Sequence, residues 1–278
     1  MKNYKKYDML IFIINLRKDT QKKEHMQKLC LKYDFQPEFI EAVYGKNLDK
    51  NTISQAYSKE LTVRYIGREL TKGEIGTALS HLLIYRQMVD QDIETALILE
   101  DDVDFEINNQ DLLHIVEKLP QDWECVLLGH HTKRSRDLDT LASVWYSKQI
   151  DDNLQCIRFA EEPFGGYGYI INQSGALKRL NDFKVIDRPI DHWSDKELNL
   201  YGIQPSIIKI NEYFLEHSSL ASERSKMEKK TYRTPFETFK DKVRFFLTKL
   251  QLLEAFFILK SFFIRFKILI KYHKVDND

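Results

Sequence analysis

Cysteine is scarce in this chain of 278 residues. Cys30, Cys125 and Cys156 are the only three, they stand far apart, and no CxxC spacing occurs. That excludes a disulfide framework or a zinc ribbon and suits a reducing compartment. Net charge is also missing: 42 Lys and Arg balance 42 Asp and Glu. The overall balance therefore argues for neither a nucleic-acid partner nor an acidic one. No run approaches the roughly 18 apolar residues of a membrane span. The apolar stretch Met9–Ile14 behind the basic N-terminus is too short for a secretory signal, and no small-residue cleavage site follows it. Internal repeats and low-complexity linkers are absent too.

What remains is a pattern of alternating strands and helices. "MLIFIIN" reads as a buried first strand, and Met26, Leu29 and Cys30 mark a helical stripe just after it. "PEFIEAVYG" holds a second strand, and residues 45–70 read as loop with short helices. "TKGEIGTALSHLLIYRQMVDQ" is the clearest helix. Thr71 and Glu74 form a capping-box pattern, and Ile75, Ala78, Leu79, Leu82 and Leu83 form an apolar face. "TALILEDDV" and "WECVLLGHH" read as strands, with the helix "DLLHIVEKLP" between them. Further on, "GGYGYIIN" leads a strand into a helix, "RPIDHWSDKELNLYG" reads as a turn into a helix, and "QPSIIKI" as a late strand. The alternation predicts an α/β domain with a mainly parallel central sheet.

The densest chemistry is "LILEDDVDF". Glu100, Asp101, Asp102 and Asp104 fall within five positions at the expected carboxyl end of a strand, where open α/β sheets bind ligands. Along an extended strand Glu100 and Asp102 point to one side. Hard oxygen donors suit Mg²⁺ or Mn²⁺, and such a pair can bridge the metal to a nucleotide diphosphate. The competing reading is a solvated acidic turn.

"LTKGEIGTALSH" followed by "ALILEDDV" resembles glycosyltransferase family 25, which includes galactosyltransferases of bacterial lipooligosaccharide and lipopolysaccharide synthesis. "IFIINL", "GGYGYIINQSGA" and "PID" fit in the same order, and the similarity spans roughly residues 8–225. The resemblance implies a GT-A-like nucleotide-sugar fold, a UDP-sugar donor, a divalent cation and an inverting transfer. It makes Asp102 the first choice for metal contact, with Glu100 beside it; His217 is the candidate third ligand, near a point where many family members carry Gln. Asp101 completes the acidic block. The resemblance also draws Asn15, Leu16, Glu74 and His81 into the donor-site neighbourhood. Each has a plainer reading: a strand–helix turn for Asn15 and Leu16, a helix cap for Glu74, and core packing for His81. Lys22 and Lys23 stand where the family carries a basic pair ending in Arg, which weakens a diphosphate-binding Arg in the first loop. Gly166, with Gly165 and Gly168, lets backbone approach a ligand, and Tyr167 offers a ring to a sugar; a packed turn is the alternative. An inverting transfer needs a base for the acceptor hydroxyl. Asp191 is the candidate and Asp195 the reserve, with helix capping as the alternative role. Ser218, Ser219 and Arg224 are candidates for meeting phosphate, against a polar loop.

Residues 1–235 thus read as the catalytic domain and residues 236–278 as a separate tail of amphipathic helices. From Phe236 to Lys274, nine Lys and Arg stand against three Asp and Glu, among Phe, Leu and Ile clusters. Such a tail can lie on an anionic membrane surface, or pack against protein. The expectation is a cytoplasmic enzyme, peripheral on the inner membrane, moving a hexose (galactose from UDP-galactose) onto a lipid-linked oligosaccharide acceptor. Two rivals stand beside it: a metal-dependent phosphohydrolase, and a non-catalytic membrane-surface adaptor.

Overall fold

A computed structural model of the chain describes residues 9–131, 144–159, 162–193 and 198–216. The elements run β1 (Leu10–Asn15), α1 (Thr20–Lys32), β2 (Glu38–Glu41), α2 (Lys50–Ala56), α3 (Lys59–Ile66) and α4 (Lys72–Asp90). Next come β3 (Thr95–Glu100), β4 (Val103–Phe105), α5 (Asn109–Glu117), β5 (Cys125–Leu127), β6 (Val144–Gln149) and β7 (Gln155–Phe159). The series closes with β8 (Gly168–Asn172), α6 (Gln173–Asp182), β9 (Leu200–Gln204), β10 (Ile208–Ile210) and α7 (Glu212–Glu216). The tail from residue 236 lies outside the described residues.

Eight strands form one sheet in the order β2-β1-β3-β8-β5-β9-β7-β6, and β4 pairs with β10 in a small second sheet. The central strands are apolar without interruption because both faces are covered. Phe12, Ile14, Ala96, Ile98, Tyr169 and Ile171 enter one core layer, with residues of α4 and α6. Ile11, Ile13, Leu97, Leu99 and Ile170 enter the opposite layer, with residues of α1 and α5. The period-two alternation is that of a pleated strand.

Several expectations are corrected. The sheet is mixed rather than mainly parallel. β1 runs parallel to β2 and β3, and β5 to β9, but β8 is antiparallel to both β3 and β5, and β7 to both β6 and β9. "LYG", expected in a helix, begins strand β9. On α4 the capping box forms as expected, but Leu83 is exposed, and the buried stripe continues through His81, Ile84, Tyr85 and Met88.

Just past β5, His130 is buried. Its Nε2 meets the Ile203 carbonyl at 3.0 Å, and its ring packs edge-on against Phe159. Burial lowers its pKa from 6.5 to about 4, against the pull of that carbonyl. As pH falls below 6.5, the unfolded chain takes up the proton first, so stability present at neutral pH is lost on the way down to about pH 4. At ~1.36 kcal/mol per pKa unit, this residue alone removes on the order of 3 kcal/mol. His130→Gln, which keeps a donor for Ile203, should unfold in urea with a flatter pH dependence between pH 7 and 4 than the wild type. Equal slopes would refute the assignment.

Candidate functional site

The carboxyl ends of β1 and β3 lie side by side, since Ile14 pairs with Glu100. β8 enters between β3 and β5 from the opposite direction. Its leading loop therefore reaches the same edge, and the Glu100 N–H donates to the Tyr167 carbonyl at 2.9 Å. The site is built at this edge.

The acidic block does not stay extended. β3 ends at Glu100, the chain turns through Asp101 and Asp102, and β4 begins at Val103. The same-side placement expected for Glu100 and Asp102 is therefore lost. Asp101 and Asp102 share one cation: Lys22 Nζ lies 2.9 Å from an oxygen of each. Asn15 Nδ2 donates to the other Asp101 oxygen at 2.7 Å. Asp104 accepts from Asn211 Nδ2 at 2.8 Å and lies 3.0 Å from His25 Nε2. Helix α1 thus brings Lys22 and His25 against acids that follow almost eighty residues later. Burial pushes the Asp101 pKa up to about 6, with Lys22 pulling the other way and Asp102 adding to the rise. For Lys22, burial alone would lower the pKa; Asp102 and Asp101 outweigh it and hold the ammonium above its ordinary value.

Glu100 belongs to a different group. Its side chain keeps 30% exposure, and its Oε1 lies 3.6 Å from His81 Nε2. A Cβ placed on Gly166 would lie 3.8 Å from that Oε1 and 3.3 Å from the Asp191 Cβ. Gly166 lies between Glu100 and Asp191. The Asp191 loop is fixed there by its neighbours: Trp193 Nε1 donates to the Gly165 carbonyl at 2.7 Å, and His192 bridges to Phe164. Gly165 has φ +118°, a conformation that favours glycine.

Of the other expected residues, Leu16 forms the β1–α1 turn, its carbonyl accepting from the Asp19 N–H. Glu74 is engaged structurally. One oxygen accepts from the Thr71 N–H, and both meet the Arg68 guanidinium at 2.7–2.9 Å. Tyr167 is corrected as a sugar platform: it is 4% exposed, in the core, with its ring against Gly129 and Gly165. Asp195 and His217 lie outside the described residues, as do Ser218, Ser219 and Arg224. Lys23 sits over the Phe39 ring.

Among the described residues no group of three His, Cys, Asp or Glu is arranged to hold a metal ion. The proposed donors divide: Asp102 faces Lys22, and Glu100 faces His81 and Gly166. The third expected ligand, His217, lies outside the described residues, and no reaction step is drawn through a metal. Sequence reasoning missed Lys22 as the partner of the acids, and Tyr169, Tyr85 and Arg179 behind His81. The one available signal was the placement of Lys22 and His25, three residues apart on the first helix after β1.

Comparison with known proteins points the same way as the motifs. The profile of glycosyltransferase family 25 (LPS biosynthesis protein) matches residues 9–194. A procollagen galactosyltransferase 1-B of Xenopus laevis is 26% identical over 228 residues, covering 73% of this chain and 36% of the relative. A glycosyltransferase 25 family member of Drosophila melanogaster is 29% identical over 66% of this chain and 29% of its own length. A probable inactive glycosyltransferase 25 family member 3 of Bos taurus is 30% identical over 61% of this chain and 28% of its own length. The chain therefore spans well under half of these curated relatives. Among the described residues no helix is long and apolar enough to cross a membrane.

The shared ammonium is directly testable. Lys22→Met leaves Asp101 and Asp102 facing each other without a counter-charge. The loss should be about 2 kcal/mol, below the ~3–5 kcal/mol of a fully buried pair, because all three side chains keep some solvent contact. Millimolar Mn²⁺ should then raise the melting temperature of the variant more than that of the wild type. Equal Mn²⁺ responses would mean that Lys22 does not occupy the cation position.

Proposed function

The chain belongs to glycosyltransferase family 25, and from that premise we propose that it is an inverting hexosyltransferase. It moves galactose from UDP-galactose onto a terminal sugar of a lipooligosaccharide or lipopolysaccharide core. The family's association with LPS biosynthesis and the galactosyltransferase names of several relatives support the sugar and the pathway class. The observation that carries the reading is the pair Glu100 and Asp191 on either side of Gly166, at the carboxyl edge of β3. A ligand in that gap meets two carboxylates, backbone without a side chain, and a nearby strand–helix turn at Asn15 and Leu16, where the nucleotide is assigned.

In the proposed reaction Asp191 accepts the proton of the acceptor hydroxyl. The freed oxygen attacks the anomeric carbon from the face opposite the diphosphate. The carbon–oxygen bond to UDP breaks, and UDP leaves with the electron pair. Mn²⁺ or Mg²⁺ remains the family's expected source of charge compensation for the diphosphate. Asp102, with Glu100 and His217, would hold that cation, and Lys22 holds one Asp102 oxygen in this structure.

A second reading is binding without turnover. The relative named as probably inactive and the closed Lys22 contact favour it. Thermal shift with a panel of UDP-sugars, with and without Mn²⁺, detects donor binding in either case. Kinetics then separate them. Asp191→Asn should lower kcat by ~10²–10⁴-fold and leave donor affinity nearly unchanged. A collapse of donor affinity would move Asp191 into the donor site and leave Asp195 as the base.

The acceptor's location is proposed from the tail. Residues 236–278 lie on the anionic inner leaflet, each basic residue near the surface contributing about 1 kcal/mol that salt screens. Deleting them should release the protein from anionic vesicles at low salt, while transfer to a small soluble acceptor persists. Equal co-sedimentation of both forms would exclude the membrane role.

A further inference from the structure

His81 is fully buried, yet its Nε2 has no hydrogen-bond partner among the described residues. A histidine serving only as packing has both ring nitrogens satisfied or one exposed. Here Nδ1 meets the Tyr169 hydroxyl at 2.7 Å, Tyr169 meets the Tyr85 hydroxyl at 2.6 Å, and Nε2 is aimed at Glu100 Oε1 at 3.6 Å. That last separation is longer than a hydrogen bond.

The proton in each link can sit on either partner, so the direction in which the hydrogen-bonded chain runs sets the tautomer of His81. Burial raises the pKa of both tyrosines, which keeps their hydroxyls protonated.

Arg179 serves the other wall. Its Nη2 donates to the Ile190 carbonyl, one residue before Asp191, and its plane lies over the Trp193 ring at 4.4 Å. One buried guanidinium thus holds the Asp191 side of Gly166 through Ile190 and Trp193.

We infer that Glu100 and Gly166 form a slot for a hydroxyl group of the donor hexose, beside Asp191, and that His81 is a positioning residue whose Nε2 carries the proton and faces Glu100. The inference rests on the transferase reading for the identity of the ligand. Its account of His81 stands on geometry alone. Ionised carboxylates only accept, and sugar hydroxyls donate, so the partners match in kind. A sugar hydroxyl on Glu100 leaves the second oxygen for His81, and a shift of about half an ångström closes the contact to hydrogen-bond length. The buried orphan nitrogen is thereby satisfied when the slot is filled.

The test has two independent arms. In the first, ¹⁵N-histidine NMR of the wild type, with His81 assigned through its backbone, should show the proton on Nε2, and Tyr169→Phe should weaken that preference. A proton on Nδ1 overturns the positioning role. In the second, calorimetry compares UDP with UDP-galactose. Gly166→Ala should weaken UDP-galactose at least 10-fold and leave UDP unchanged. His81→Phe should raise the KM for the sugar substrate about 10-fold with a smaller effect on kcat, and His81→Gln, which restores an N–H near Nε2, should recover most of it. Equal losses for UDP and UDP-galactose, or no recovery in His81→Gln, overturn the slot. If the wild type binds UDP but no UDP-hexose, the slot's ligand is wrong. If it binds neither, the transferase reading itself fails, and the NMR arm still decides what His81 does.

Discussion

The Lys22 ammonium is the contact on which the organisation of the site depends. Four carboxylates within five residues at the end of a buried strand repel one another, and Asp101 in particular is nearly closed off from water. Two unit charges about 4 Å apart interact by roughly 4 kcal/mol at an effective dielectric of 20, so adjacent anions cannot share this turn without a cation. Lys22 supplies it to Asp101 and Asp102 together, Asn15 supports Asp101 from β1, and His25 takes Asp104 one turn further along α1. The first helix is thereby tied to the β3 end by charge as well as by the apolar packing of Met26 and Cys30. Glu100 is left outside this network, and it is the acid that faces the gap above Gly166.

The direction of β8 decides what Glu100 meets. β8 is antiparallel to β3, so the loop that leads into it, Gly165 to Tyr167, lies beside the end of β3. Had β8 run parallel, that loop would have opened at the far edge of the sheet. The mixed sheet is therefore what brings a glycine-rich loop and the Asp191 turn to the strand end. The three glycines there do different work. Gly129 yields to the Tyr167 ring, Gly165 adopts a positive φ, and Gly166 lets the Asp191 loop approach Glu100 closely.

The central strands and α4 were legible in the sequence because their signals are local. Uninterrupted apolar runs marked β1 and β3, and Thr71 with Glu74 marked a helix start that closes as a capping box. Family 25 was legible from two spaced motifs. The sheet's direction was not, since a short apolar run such as "GYIIN" looks the same whichever way it is laid. "LYG" was taken for helix because the polar residues before it mimic a helix start, while the pairing of its strand with β5 and β7 is made far away in sequence. The same distance hid the partner of the acids: Lys22 and Asp101 are 79 residues apart. Tyr167 was misjudged because a tyrosine beside glycines looks exposed until the packing against Gly129 is known.

Two buried or half-buried glutamates show how structural and functional acids separate here. Glu74 has both oxygens engaged, by the Thr71 N–H and a bidentate Arg68. A carboxylate held this way stabilises the start of α4. Glu100 has its backbone fixed by Tyr167, but its carboxylate is a third exposed and faces a histidine nitrogen that it does not quite reach. Leaving a buried polar nitrogen unpaired costs about 1–3 kcal/mol. Glu100, beside Gly166, faces such a nitrogen, whereas Asp101 and Asp102 are held by Lys22 and tie α1 to the end of β3.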